Sequence, residues 1–112
     1  MPTRLAVDAG GNIHVADPGL GQVITRAPDG RVISRVGGVG RPISVAVGGG
    51  LIYVGDAESG AVTAFDSAWQ PILHLGKGGG EFLQPSDLSV DAASGNVYVA
   101  DGKADLIKVY RT

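Results

Sequence analysis

The chain has 112 residues, with 9 Lys or Arg, 11 Asp or Glu and a formal net charge of −2, and it contains no cysteine. This composition excludes disulfides and thiolate metal sites, and it lacks the basic runs typical of nucleic-acid binders. No apolar stretch approaches the roughly 20 residues that cross a bilayer, and the first residues do not resemble a signal peptide. We therefore expect a soluble chain, of unassigned compartment, with no nucleic-acid or membrane partner.

Glycine usage points to the fold class. The chain has 19 glycines, well above the average usage of about 7%. They cluster between short apolar stretches, and 44% of the residues are hydrophobic. Disordered chains have low hydrophobicity, so this pattern predicts all-β structure with many turns.

The predicted strands fall into three units in chain order, spanning 1–41, 42–84 and 85–112. Each unit begins with a strand after a proline, continues with a strand that ends in aspartate, and adds an amphipathic third strand. The first two units have a fourth strand, which the third unit lacks. The predicted strands lie in 2–8, 11–17, 22–27, 31–37, 42–48, 50–56, 61–66, 71–76, 85–91, 95–101 and 106–111.

The repeat spacing indicates the architecture. The aspartates that close the second strands, Asp17, Asp56 and Asp101, lie 39 (56 − 17) and 45 (101 − 56) residues apart. Repeats of about this length are typical of β-propeller blades, each made of four antiparallel strands. The predicted fold is therefore all-β, with blades of 4 + 4 + 3 antiparallel strands.

The first strand of each unit alternates between bulky and small side chains. Such alternation places the two sets on opposite faces of a sheet. A face that tolerates only small groups suits an innermost strand, where neighbouring blades converge on a central channel. The bulky positions are Leu5, Val7, Val45, Val47, Leu88 and Val90, and the small ones are Ala6, Ala46 and Ser89.

Together these motifs resemble the NHL repeat. The most specific match is segment 73–85, which is similar to the glycine-rich linker that joins consecutive NHL repeats and ends in proline. The resemblance covers essentially the whole chain. Its departures are Gly48, where the other units have aspartate, Gly55, where they have alanine, and the short linker 37–41. The resemblance implies a six-bladed ring, of which three blades are half.

The recurring aspartates have two interpretations. A ring of carboxylates for Ca²⁺ or catalysis is one. The other, which we favour, is a structural turn role, because Asp17, Asp56 and Asp101 each lead into a turn rich in Gly, Pro or Ser, where the side chain accepts backbone N–H groups. The only histidines, His14 and His74, occupy non-equivalent strand positions, and a zinc site needs at least three protein ligands.

The chain lacks the sequence patterns of common catalytic sites. There is no Gly-x-Ser-x-Gly, His-Glu-x-x-His or phosphate-binding loop pattern. We therefore predict no catalytic residue, no metal, no cofactor and no enzymatic activity.

The polar candidates for ligand binding lie near the predicted channel mouth. Arg4, Ser44 and Asp87 occupy equivalent positions near the start of each innermost strand and are expected to face the channel rim. Charged residues of the linkers and of the loops after the second strands are expected on the same face, although solvated loop charge explains them equally well. The candidate ligand-binding residues are Arg4, Arg41, Ser44, Lys77, Asp87 and Lys103.

Three blades cannot close a propeller, because the terminal blades would expose apolar surface. We therefore expect a homodimer that forms one six-bladed ring. The predicted function is a non-catalytic scaffold or binding module, with a protein or small-molecule ligand at the central channel. Two alternatives stay open: a metal-dependent lyase or lactonase-like enzyme, which NHL-like propellers include, and a half-propeller fragment with no independent function.

Overall fold

A computed structural model describes residues 4–76 and 79–111, and within these ranges the regular structure consists of strands alone. They form three antiparallel sheets. The strands are β1 (Arg4–Val7), β2 (Ile13–Asp17), β3 (Gln22–Arg26), β4 (Val32–Val36), β5 (Pro42–Gly48), β6 (Leu51–Asp56), β7 (Ala61–Phe65), β8 (Pro71–His74), β9 (Pro85–Val90), β10 (Val97–Asp101) and β11 (Leu106–Tyr110).

The sheets follow chain order, as blades of a propeller do. Blade 1 has the order β1-β2-β3-β4, blade 2 has β5-β6-β7-β8, and blade 3 has β9-β10-β11. All neighbouring strands within a blade are antiparallel. The predicted all-β fold with 4 + 4 + 3 strands is confirmed.

The hairpin between the first two strands differs among the blades. In blade 1, Asp8 accepts the N–H groups of the turn, and Gly11 takes a φ of 85°. Asp91 makes the corresponding turn bonds in blade 3. Blade 2 replaces this turn with Gly49 and Gly50, whose φ angles of 58° and 77° fit a tight two-residue turn. Its hairpin therefore has no need of the aspartate.

Of the three innermost strands, β5 lies between β1 and β9 and contacts both, which brings the blades face to face. The apolar core consists of two clusters between them, which we call seam 1–2 and seam 2–3. Seam 1–2 buries Ala16, Val23, Val39, Val45, Ile52 and Val54. Seam 2–3 buries Ala46, Tyr53, Val62, Ala64, Leu75, Phe82, Leu88, Val97 and Val99.

Two glycines let blade 3 approach blade 2 closely. A Cβ on Gly55 would lie 2.8 Å from the carbonyl oxygen of Pro85, and a Cβ on Gly48 would lie 2.9 Å from the Cβ of Val90. Neither distance is tolerated without a shift of the neighbouring blade. These two departures of the second unit from the repeat pattern thus lie where blade 2 and blade 3 approach most closely.

Candidate functional site

Two of the channel candidates come together at the start of the innermost strands. The Nε of Arg4 lies 3.9 Å from Oδ1 of Asp87, and both side chains are exposed. The same carboxylate oxygen accepts the N–H of Leu88 at 2.9 Å. Arg4 belongs to blade 1 and Asp87 to blade 3, so this ion pair spans the space between the outer two blades.

Ser44 differs from the expectation that it faces the channel rim. Its side chain is fully buried, and its hydroxyl donates a hydrogen bond to the carbonyl oxygen of Pro85 at 2.6 Å. Gly55, on the paired strand, leaves the room that this hydroxyl and Pro85 occupy. Ser44 therefore fastens blade 2 to blade 3 instead of offering a ligand contact.

The basic candidates lie on separate loops. Arg41 ends the linker before blade 2, and its N–H donates to Asp56 at 2.8 Å. Lys103 lies in the turn after β10, and its N–H donates to Asp101 at 3.2 Å. Both residues are exposed, and neither takes part in the Arg4–Asp87 pair. Lys77 lies outside the described residues.

Asp101 organises the entry to blade 3. Its carboxylate accepts the N–H groups of Leu83 and Gln84 at 2.8 and 3.0 Å, and those of Lys103 and Ala104 at 3.2 and 3.1 Å. The first pair belongs to the incoming linker and the second to the turn after β10. Burial alone would raise the pKa of Asp101, but these four bonds outweigh it and hold the pKa below its usual value.

Asp56 does the same for blade 2 with fewer linker bonds. Its carboxylate accepts the N–H of Arg41 and of Glu58, both at 2.8 Å, and the hydroxyl of Ser59 at 2.6 Å. Burial would raise the pKa of Asp56, and the bonds from Ser59 and the backbone overcome that effect and lower it. We call this arrangement the aspartate clamp.

Sequence reasoning assigned these aspartates to the local turn and missed the clamp on the linker. Asp17 accepts the N–H of Leu20 at 3.2 Å, which is a bond within the turn. The contacts of Asp56 and Asp101 with their linkers join residues 15 to 18 positions apart. The sequence did contain a signal for this contact, because each linker ends at a proline that begins the first strand of the unit to which the aspartate belongs.

His14 is the centre of a buried polar group in blade 1. Its Nε2 lies 2.9 Å from Oδ2 of Asp8, and its Nδ1 lies 2.9 Å from the hydroxyl oxygen of Thr25. Trp69 of blade 2 meets the His14 ring edge-on, with centroids 6.2 Å apart. His14 and Thr25 are both buried, so this carboxylate, imidazole and hydroxyl fix the first hairpin under the Trp69 ring.

Among residues 4–76 and 79–111, no three His, Cys, Asp or Glu side chains converge as metal ligands. No helix there is long and apolar enough to cross a membrane.

The outer side of blade 1 is an exposed apolar surface. Leu5 and Val7 alternate with Ala6, which packs into seam 1–2, so they point away from the rest of the chain. Leu5 is 63% exposed, whereas Leu88, at the equivalent position of blade 3, is 7% exposed. We call the surface of Leu5 and Val7 the blade 1 end face.

Blade 3 has a corresponding surface on its own outer side. Ile107 and Val109 alternate with Tyr110, which packs into seam 2–3. Ile107 is 68% exposed, whereas Val62, at the equivalent position of blade 2, is fully buried. Tyr98 is exposed on the same side, and we call Tyr98, Ile107 and Val109 the blade 3 end face.

Comparison with known proteins supports the propeller-like fold. No model of a known protein family matches the sequence. No curated protein matches it either. Among solved structures, the hydrazine synthase of Kuenenia stuttgartiensis is 24% identical with a TM-score of 0.81, over 99% of this chain and 32% of that chain.

Two further structures are similar at lower identity. A catalytically inactive virginiamycin B lyase from Staphylococcus aureus, with quinupristin, is 7% identical with a TM-score of 0.74, over 98% of this chain and 41% of that one. The structure of U3-55K is 13% identical with a TM-score of 0.63, over 96% of this chain and 36% of that one. The chain thus spans about a third to two fifths of each neighbour, and the likeness concerns the fold alone.

Proposed function

We propose that the chain is an NHL-type half-propeller, that two copies join head to tail into one six-bladed ring, and that the ring is a non-catalytic binding module. The observation that supports this proposal is the pair of exposed end faces. Each carries apolar side chains at positions that are buried where blades of this chain meet.

The internal seams show how such faces fit. In seam 2–3, Leu88 and Val90 of the following blade pack against the apolar face of the preceding blade, which includes Val62 and Ala64. The blade 1 end face is similar to the surface of Leu88 and Val90, and the blade 3 end face is similar to the surface of Val62 and Ala64. The equivalent positions are Leu5 for Leu88, Val7 for Val90, Ile107 for Val62, and Val109 for Ala64.

A second copy therefore offers each end face its complement. Because one face is presented by the first blade and the other by the last, the contact is head to tail, and two copies form two identical seams. Burying each large apolar side chain contributes about 1.5–3 kcal/mol.

The polar groups of the described residues support a binding role over catalysis. The carboxylates of Asp56 and Asp101 hold backbone N–H groups, and His14 is held between Asp8 and Thr25. At the channel, the ring would place Asp87 of one copy next to Arg4 of the other. This alternation of charge suits a polar peptide or small molecule with groups of both signs.

The first test is absolute mass by light scattering coupled to size exclusion, over a range of concentrations. A stable species near twice 11.3 kDa supports the ring. Ile107→Asp and Leu5→Asp should each convert it to monomer, because a charge on either end face is left without a partner in the seam. Ile72→Asp is the matched control, since Ile72 is 52% exposed on β8 of the middle blade.

The two end-face variants also test the direction of pairing. Head-to-tail contact requires both faces, so both variants should dissociate. Dissociation by Ile107→Asp alone would show that blade 3 of one copy pairs with blade 3 of the other. A wild-type chain that is monomeric at micromolar concentration, or that forms mixed aggregates, would overturn the proposal.

A further inference from the structure

A cleft of about 400 Å³ opens at the outer part of seam 1–2. The linker before blade 2 forms one wall through Val39, and the face of blade 2 forms the other through Val54 and Phe65. Thr63 and His74 stand at its rim, where the Thr63 hydroxyl oxygen lies 2.9 Å from Nδ1 of His74. The cleft thus has an apolar floor and a polar edge, as small-molecule sites have.

Seam 2–3 shows what occupies the equivalent space in the next blade. Phe82 stands three residues before Pro85, as Val39 stands three residues before Pro42. The Phe82 ring is buried, and it meets the Tyr110 ring edge-on with centroids 6.0 Å apart. In this seam, therefore, an aromatic ring from the linker fills the gap between blades.

The side chains that surround Val39 and those that surround Phe82 come from equivalent strand positions. Tyr110 is the fifth residue of β11, as Phe65 is the fifth residue of β7. Lys108, whose Nζ lies 5.1 Å from the centroid of Phe82, is the third residue of β11, as Thr63 is of β7. Seam 1–2 thus keeps an aromatic wall but has a valine where the other seam inserts a phenyl ring.

The linkers differ in length as well as in side chain. The chain from Gly37 to Arg41 has five residues, whereas the equivalent chain from Gly76 to Gln84 has nine. The short linker places Val39 in the seam, where the long linker places Phe82. Trp69 contacts Phe65, with ring centroids 5.4 Å apart, but it does not line the cleft. Because the cleft keeps Phe65 as an aromatic wall and holds no ring where Phe82 stands in the other seam, its shape favours an aromatic guest.

We propose that this cleft is a binding site for a small aromatic molecule with a hydrogen-bonding substituent, of the phenol type. The ring lies against Phe65, Val39 and Val54, in the place that Phe82 takes in seam 2–3. The substituent reaches the Thr63–His74 pair at the rim. The site is distinct from the channel mouth and lies between blades of one copy, so it does not depend on ring assembly.

The test is a titration of ¹⁵N-labelled protein with phenol, followed by amide chemical shifts. We expect saturable shifts at residues 39, 54, 63 and 65, with a dissociation constant on the order of 1 mM. Cyclohexanol, which has the same hydroxyl but no aromatic face, should bind several-fold more weakly. Equal binding of both molecules, or shifts that do not saturate, would overturn the proposal.

Variants locate the site. Val39→Phe supplies the missing ring from the protein itself and should abolish the phenol shifts. Thr63→Val keeps the cleft open but removes the hydroxyl, and it should weaken phenol roughly 3- to 10-fold. If Val39→Phe does not fold, the Thr63→Val result decides. Unchanged phenol affinity in Thr63→Val, or in a folded Val39→Phe protein, would place phenol elsewhere and refute the assignment.

Discussion

The two seams solve one packing problem in different ways. In seam 2–3, a nine-residue linker turns Phe82 inward, and the ring fills the gap between blades. In seam 1–2, a five-residue linker supplies only Val39, and Trp69 of blade 2 packs against Phe65 and His14 instead. Blades with the same strand order are therefore joined by contacts that depend on the length of the linker.

The polar contacts follow the same division. In seam 2–3, the Tyr110 hydroxyl donates to the Glu81 carboxylate, and Nζ of Lys108 donates to the Glu81 carbonyl oxygen at 2.9 Å. Nζ of Lys108 also lies 3.7 Å from the Glu81 carboxylate. Burial and the neighbouring Glu81 raise the pKa of the Tyr110 hydroxyl, so it remains a donor at neutral pH. The long linker is therefore tied to blade 3 by its side chains as well as by its backbone.

The largest expected effect comes from removing the ring that fills seam 2–3. Phe82→Ala should lower the free energy of unfolding by about 3–5 kcal/mol, because it leaves a large cavity. Val39→Ala at the equivalent position should cost about 1–2 kcal/mol, since it removes two methyl groups next to an existing cleft. Urea denaturation measures both values. Equal losses would show that the seams do not differ as described.

The aspartate clamps give the next largest effect. Asp101→Ala should lower the free energy of unfolding by about 2–3 kcal/mol, because four backbone N–H groups lose a charged acceptor. Asp56→Ala should cost about 1–2 kcal/mol, since Asp56 is less buried and holds one linker N–H. Asp29→Ala is the control: it removes only an exposed turn bond from the Arg31 N–H, so its loss measures what a local aspartate bond contributes to the free energy of unfolding. A larger loss for Asp56 than for Asp101 would reverse the ranking.

Acid should weaken both clamps to a smaller extent, because a protonated carboxyl keeps an acceptor oxygen. The pKa values of Asp56 and Asp101 are lowered in the folded chain. Their stabilisation is therefore complete above the unfolded value of about 3.9 and is lost as pH falls through the lower folded values. Urea midpoints measured from pH 7 down to pH 2 should fall below about pH 4. The fall should be shallower in Asp101→Asn, and an identical pH profile would contradict the clamp.

The smallest effect concerns the bond between Tyr110 and Glu81. Tyr110→Phe should lower the free energy of unfolding by about 1–2 kcal/mol, because the Glu81 carboxylate loses a hydroxyl donor. Tyr53→Phe is the matched control, since Tyr53 is buried in the same seam on blade 2. If Tyr53→Phe cost as much as Tyr110→Phe, the Glu81 bond would add nothing specific.

Much of the fold could be predicted because its determinants are local. Alternation in β1, β5 and β9 and the repeated strand ending in aspartate were sufficient to predict the 4 + 4 + 3 order. The burial of Ser44 could not be predicted in this way. Its bond partner, Pro85, is 41 residues away, and the sequence pattern does not report how closely two blades approach.

The candidate site was less predictable for the same reason. The pairing of Arg4 with Asp87 depends on how far the three blades curve, and the cleft beside Val39 depends on how a short linker crosses between sheets. From the sequence, Gly48 and Gly55 are weak matches to the repeat. The structure shows that Val90 and Pro85 of blade 3 occupy the space that a side chain at these positions would take.

Gly55 also bears on how such a chain can evolve. Blades 1 and 3 have Ala16 and Ala100 at this position, and blade 1 has Arg4 where blade 2 has Ser44. A copy of blade 1 inserted before blade 3 would bring a methyl group and an arginine to the place where Pro85 now lies. The blades are therefore not interchangeable modules. If they arose by duplication, blade 2 has since become specific to blade 3, and blade 1 can no longer take its place without a shift of Pro85.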